Sequence, residues 1–111
     1  MDQLRVIIEH DPEDGFVAQC VDFDIIGFGE SREASVEDFI RAFMRHVAAA
    51  VHMGVPPLST DRRPPQEYRD RWDEARARGK LTEFEIPRFT IMEAGDFDVT
   101  NLPCRGVAMV A

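Results

Sequence analysis

The sequence has few cysteines and no long apolar run, and each shortage excludes a class of protein. Only two cysteines occur among 111 residues, Cys20 and Cys104, and they form no Cys-x-x-Cys pair of the kind that binds zinc. No apolar run is long enough to span a bilayer, and the N-terminus lacks the basic residues that begin a signal peptide. We therefore expect a cytoplasmic protein without a membrane segment.

Basic residues are scarce as well. The chain has 13 Lys and Arg against 21 Asp and Glu, and the formal net charge of −8 disfavours binding of the whole chain to a phosphate backbone. The excess lies mainly in residues 1–54, where 11 acids face 4 bases, whereas residues 55–111 hold 10 acids and 9 bases. With 44% hydrophobic and 31% charged residues, the composition is that of one ordinary globular domain.

Alternating and β-branched residues predict three short strands in the N-terminal third of the chain. They span residues 4–9, 16–21 and 25–29. The first two are joined by His10–Gly15, which holds a proline and an Asp-Gly pair and therefore favours a tight turn with antiparallel pairing. Its three carboxylates could instead bind a hard cation. The closing Glu of a calcium loop is missing, however, so the turn is the favoured interpretation.

A change of period after Ser31 predicts a long amphipathic helix. Apolar residues recur every three or four positions from Val36 to Val51, with charged residues on the opposite face. Either Ser31 or Ser35 can cap the first turn, and Gly54 suits the position after the last turn. We therefore expect one helix between Ser31 and Gly54.

The C-terminal half begins with an extended connector at residues 55–65, whose four prolines deny both helix and strand hydrogen bonds. A second helix is expected at 65–78, where the only Trp and Tyr of the chain would anchor it to the sheet or to another subunit. Further strands are expected at 82–92 and 106–110.

These elements predict a single α+β domain in which an antiparallel sheet packs against one long helix. Residues 1–54 form its β-β-β-α core, residues 55–65 the proline-rich connector, and residues 66–111 a C-terminal helix and strand extension that completes the same domain.

Four short motifs follow one another in the N-terminal half of the chain, at the spacing of a known family pattern and without an insertion. They are Gly15-Phe16-Val17-Ala18, Asp24-Ile25, Gly29-Glu30-Ser31 and Glu33-Ala34. The pattern of a Gly-aromatic-Val-Ala strand, an Asp-Ile stretch, a Gly-acid-Ser corner and a helix that opens with Glu and Ala resembles the HicB-like antitoxin family. The resemblance covers residues 4–54, about half of the chain.

The resemblance implies a β-β-β-α-β partial RNase H-like fold, with its fourth strand at 82–92, and no hydrolase activity. Family members neutralise a small HicA-type mRNA-cleaving toxin and assemble as dimers or tetramers. Many also carry a ribbon-helix-helix or helix-turn-helix domain that binds operator DNA, but residues 55–111 match neither pattern. The chain is similar instead to stand-alone members, for which DNA binding is not expected.

Asp22 and Asp24 are the first candidate site residues. They lie two positions apart at the end of the second predicted strand, so both side chains would project to one face. Such a pair can act in acid–base or metal chemistry. It can also form an acidic edge that discourages aggregation and meets a basic partner. We favour the acidic edge and take both residues as candidate partner contacts.

Phe28 is the third candidate contact, because it lies between two glycines of the third strand; it is either an exposed contact residue or a core side chain. Cys20 is expected to be a buried thiol rather than a nucleophile. His46 and His52 are six positions apart on different sides of the long helix, so they cannot share a metal ion. Residues 62–80 carry seven bases and four acids, which favours an ion-paired helix surface over nucleic-acid contact.

Taken together, these features predict a non-catalytic binding protein without cofactor or metal. Its leading function is that of the antitoxin in a bacterial type II toxin–antitoxin pair, and its partners would be copies of itself, as a homodimer or tetramer, and a small basic HicA-type toxin. Two alternatives stay open. One is an orphan protein of the same fold that binds another protein or a small ligand, and the other is a metal-dependent hydrolase that uses Asp22 and Asp24.

Overall fold

The structure, a computed structural model, describes residues 3–56, 58, 64–78, 81–86 and 105–110. The described residues form five strands and two helices. In chain order these elements are β1 (Gln3–Asp11), β2 (Gly15–Cys20), β3 (Ile26–Gly29), α1 (Arg32–His52), α2 (Gln66–Arg78), β4 (Leu81–Glu85) and β5 (Arg105–Val110).

The five strands form one mixed sheet in the order β3-β2-β1-β5-β4. Strands β1, β2 and β3 pair antiparallel as a meander, and β4 pairs antiparallel with β5, but β5 runs parallel to β1. The α+β class is confirmed, whereas the expectation of an antiparallel sheet was wrong. The long connection through both helices allows a parallel return, which a short hairpin does not.

The two C-terminal strands lie together on one side of β1 in the sheet. The strand expected at 106–110 is confirmed as β5, and it lies beside β1. β4 covers only the first part of the segment expected at 82–92, and it lies at the end of the sheet. The rest of the segment, from residue 87 onward, lies outside the described residues, as does Cys104.

Helix α1 begins and ends where the sequence predicts. Of the two serines, Ser31 is the cap, and its Oγ accepts a first-turn N–H at 3.0 Å. Gly54 follows the last turn with φ +74°, and the N–H of Val55 donates to the carbonyl of Ala50 at 2.9 Å. This is a Schellman motif, in which the left-handed residue closes the helix end.

The face of the sheet under α1 forms the main core. Apolar side chains of the sheet and of α1 interdigitate there and are almost completely buried, as the period-two and period-3.6 patterns require. The buried residues are Leu4, Val6, Ile8, Ala18, Cys20, Ile25, Phe39, Phe43, Val47, Ile86 and Ala108.

Two glycines let α1 lie directly on the backbone of β3. A Cβ on Gly27 would stand 2.3 Å from the backbone nitrogen of Phe39, and one on Gly29 would stand 2.4 Å from that of Ser35. No side chain fits at such distances, so the close approach requires glycine. Because side chains alternate along a strand, the residues between and before the glycines then point away from α1.

Helix α2 crosses the opposite face of the sheet, here called the second face. Trp72 and Ala75 are buried against Ile7, Val21 and Val107, so the Trp anchors the helix to the sheet, one of its two expected roles. The larger contacts of α2 are with β1 and β5. The second face of β3 therefore keeps apolar side chains exposed.

Candidate functional site

The most prominent exposed apolar residues in the described part of the sheet lie on the second face of β3. Phe28 pairs with Val17 of β2, and Ile26 pairs with Gln19. The exposed fractions are 47% for Phe28 and 36% for Ile26. Of its two expected placements, Phe28 therefore has the exposed one. Ile26, next along the same face, was missed by the sequence analysis, although the period-two spacing links it to Phe28.

Carboxylates flank this apolar pair in sequence. Asp24 lies two residues before β3 and Glu30 directly after it, and both are exposed. No described base forms an ion pair with either of them. Arg5 pairs with Asp22 and Arg71 with Glu9, each at 2.6 Å, and Arg32 lies over the ring of Phe16, 5.9 Å from its centre. We call Asp24, Ile26, Phe28 and Glu30 the β3 surface. An apolar centre between acids that pair with no described base is the arrangement that a basic protein partner fits.

Asp22 and Asp24 have different surroundings, and neither of them is part of strand β2. β2 ends at Cys20, so the two acids follow the strand in a bend. The carboxylate of Asp22 accepts hydrogen bonds from Nη2 of Arg5 at 2.6 Å and from Nε at 3.2 Å. Only 14% of the Asp22 side chain is exposed, and its charge is paired with that of Arg5 within the molecule.

The pair of Arg5 and Asp22 is a structural contact of the second face. The guanidinium also lies over the ring of Trp72, 5.8 Å from its centre, and the hydrogen bond to Asp22 raises the pKa of Arg5. Asp22 thereby helps to hold Arg5 in place against Trp72 of α2. Asp24, with an exposed side chain, remains the better candidate for contact with a partner.

The edge of β3 is bound by a side chain from α1. Asp38 Oδ2 accepts the backbone N–H of Phe28 at 2.8 Å, and Oδ1 of the same carboxylate lies 3.6 Å from Nη2 of Arg41. This contact could not be predicted from sequence, because it joins residues ten positions apart in two different elements.

A small groove continues the second face beside α2. It has a volume of about 170 Å³, below the roughly 300 to 1,000 Å³ of ordinary small-molecule sites. Arg71, which lines the groove, is already engaged there. It donates a hydrogen bond to Glu9 Oε1 at 2.6 Å, and its guanidinium lies over the ring of Tyr68. The bond to Glu9 raises the pKa of Arg71. The groove reaches Val17, so it adjoins Phe28 across the β2–β3 pairing.

A larger groove lies between α1 and β4, on the face opposite the β3 surface. Its volume is about 380 Å³. Ile8, Val36, Phe84 and Ala108 contribute apolar walls, and charged residues from the first turns of α1 line its rim. This size and lining are suitable for a small apolar ligand.

The remaining candidate residues from the sequence lie in surroundings that point to the fold rather than to a binding site. Asp11 Oδ1 accepts the N–H groups of Glu13 and Asp14, so the acidic segment is the expected hairpin turn. Cys20 is fully buried, and desolvation raises the pKa of its thiol to about 11. His46 is partly buried on α1, with an Nε2 that has no partner among the described residues. Within the same residues no group of three His, Cys, Asp or Glu is placed to hold a metal ion.

Comparisons with known proteins found no matching family model, no similar curated protein and no similar solved structure. In the described part of the chain, neither helix is long and apolar enough to cross a membrane.

Proposed function

We propose that this protein is a non-catalytic HicB-like binding protein, the antitoxin of a type II toxin–antitoxin pair that sequesters a small basic mRNA-cleaving toxin in the cytoplasm. The family assignment rests on the motif resemblance of residues 4–54. The observation that supports the binding role is the β3 surface, where Ile26 and Phe28 are exposed beside acids that no described base neutralises.

The chemistry of the β3 surface suits a basic ribonuclease. Proteins that cleave RNA carry positive charge at the site that receives phosphates. The net charge of −7 in residues 1–54 would accelerate the encounter with such a partner, and the exposed Phe28 would supply the desolvated contact that slows dissociation. Docking of this kind blocks access of RNA to the toxin without any covalent step.

The direct test is affinity capture of the tagged protein from its native host at moderate salt, with three baits compared. The wild-type bait should retain a small basic protein that cleaves RNA. A bait with Phe28→Asp should lose it, because a charge replaces the apolar centre. A bait with Glu74→Lys should retain it, because Glu74 is an exposed residue of α2 outside the β3 surface. Equal retention by all three baits would argue against the β3 surface.

A second candidate is an orphan protein of the same fold that binds a small ligand, and the groove between α1 and β4 favours it. A ligand that binds only the folded protein raises its melting temperature by mass action. A screen of small apolar compounds should then find stabilisers that lose their effect in Val36→Asp, a substitution in the wall of the groove.

A further inference from the structure

We propose that Asp38 keeps the edge of β3 closed, so that β3 does not pair with the β3 strand of a second copy of this chain. The inference is independent of the proposed function, because it concerns self-association and needs no toxin. It rests on the hydrogen bond from the Phe28 N–H to Asp38 Oδ2 and on the place of β3 at the end of the described sheet.

The pairing pattern shows that the outer side of β3 is a usable edge. Cys20 N–H donates to the Ile25 carbonyl at 3.0 Å, which identifies Ile25 as a residue whose carbonyl faces β2. Because these directions alternate along an antiparallel strand, the backbone groups of Ile26 and Phe28 face outward. An exposed strand edge of this kind is a template for another strand.

The side chains of β3 would also suit a second copy. Two such strands placed antiparallel across a two-fold axis would bring Ile26 of one against Phe28 of the other on the second face. Gly27 would face the same side as α1 in both copies. The strand is therefore self-complementary in its apolar residues. If its edge were open, pairing of two copies would cover Ile26 and Phe28, which we propose as partner contacts.

Asp38 closes this edge from the neighbouring helix. Its carboxylate accepts the outward N–H of Phe28, and Gly27 and Gly29 allow α1 to lie close enough for the side chain to reach it. A carboxylate at a strand edge offers an acceptor and a charge but no donor for an incoming strand, so pairing would have to break the bond from the Phe28 N–H and desolvate the charge of Asp38, which is paired with Arg41. The flanking Asp24 and Glu30 of two paired strands would add repulsion, which salt screens.

The test compares wild type with Asp38→Ala and Asp38→Asn in 1 M salt. Alanine removes the acceptor, whereas asparagine keeps an oxygen for the Phe28 N–H, loses the charge and the contact with Arg41, and gains an amide donor. The measurements are molar mass by light scattering across a concentration series and hydrogen exchange of the Phe28 amide. In dilute Asp38→Ala the amide should exchange at least tenfold faster than in wild type, and as concentration rises the mean mass should increase while exchange slows again.

Wild type and Asp38→Asn should show concentration-independent exchange at Phe28 and equal mass at every concentration. A faster exchange in Asp38→Ala without any gain in mass would overturn the role of Asp38 in preventing strand pairing. An exchange rate that is the same in all three proteins would overturn the hydrogen bond itself as the closing contact.

Discussion

Single residues in this molecule owe their properties to burial, and Cys20 is the clearest case. The thiol is fully buried under α1, and desolvation raises its pKa from 9.0 to about 11. Below pH 9 the thiol is protonated in both the folded and the unfolded chain. Between pH 9 and about 11 the unfolded chain loses this proton first, so the free energy of unfolding should fall with rising pH.

The expected slope from Cys20 is about 1.4 kcal/mol per pH unit within that window. Urea denaturation of wild type and Cys20→Ala at pH 8, 9 and 10 isolates it, because every other titrating group is common to both proteins. The difference between the two unfolding free energies should shrink as pH rises. A constant difference would mean that the thiol titrates normally in the folded state.

Asp22 and Asp24 are equal in the sequence pattern but not in the structure. Asp22→Ala removes both hydrogen bonds to Arg5 and should lower the free energy of unfolding by about 1 to 2 kcal/mol. Asp24→Ala removes an exposed side chain and should change it by less than about 0.5 kcal/mol. Denaturant melts of the two variants check the contrast, and equal losses would contradict the assignment of one acid to the fold and the other to the surface.

At the scale of elements, the contact of α1 with β3 depends on backbone proximity. Gly27→Ala would place a Cβ 2.3 Å from the Phe39 nitrogen, and neither backbone can yield easily. We expect a loss of about 1 to 3 kcal/mol, the usual cost of overpacking. Gly54→Asn is the matched control, because Gly54 has open space around it and asparagine tolerates its positive φ. A neutral result for Gly27→Ala in thermal melts would show that α1 does not rest on β3 so closely.

Helix α2 has one large buried side chain, that of Trp72. Its own sequence is heavily charged, and Trp72 and Ala75 are its buried residues. Trp72→Ala should therefore cost about 3 to 5 kcal/mol, whereas Trp72→Phe should cost clearly less, because an aromatic ring still fills most of the space. Proteolysis within residues 66–78 should be faster in Trp72→Ala alone. Equal resistance of both variants would place the attachment of α2 elsewhere.

Local features of the elements were predictable from sequence. The acidic turn before Gly15, the cap at Ser31 and the closure at Gly54 each depend on residues within a few positions of one another. Contacts across the chain were not predictable in this way. The end of β2 at Cys20 places Asp22 beside Arg5, 17 positions away, and the bond of Asp38 to Phe28 joins two elements. Period alone carries no record of such pairings.

The whole molecule shows the same limit in its sheet. A strand at 106–110 was expected, and its place beside β1 was not, because the register of Leu4 with Gly106 joins the two ends of the chain. Which strands pair in parallel over such a separation depends on which faces of the sheet can be buried together. Here α1 covers one face of the sheet and α2 covers the other. Of the candidate site, Asp24 and Phe28 were predicted from sequence, and Ile26 could have been, because it lies two positions from Phe28 on the same strand. The bond of Asp38 to Phe28 could not be predicted in this way.

The central claim is that the β3 surface binds and silences a basic RNA-cleaving partner. Its most direct measurement is RNA cleavage by the protein captured from the host, titrated with wild type and with Phe28→Asp. We predict that wild type stops cleavage at a stoichiometric ratio and that Phe28→Asp needs at least a tenfold excess. Cleavage that continues unchanged at saturating wild-type protein, or a capture that recovers no RNA-cleaving partner, would contradict the claim.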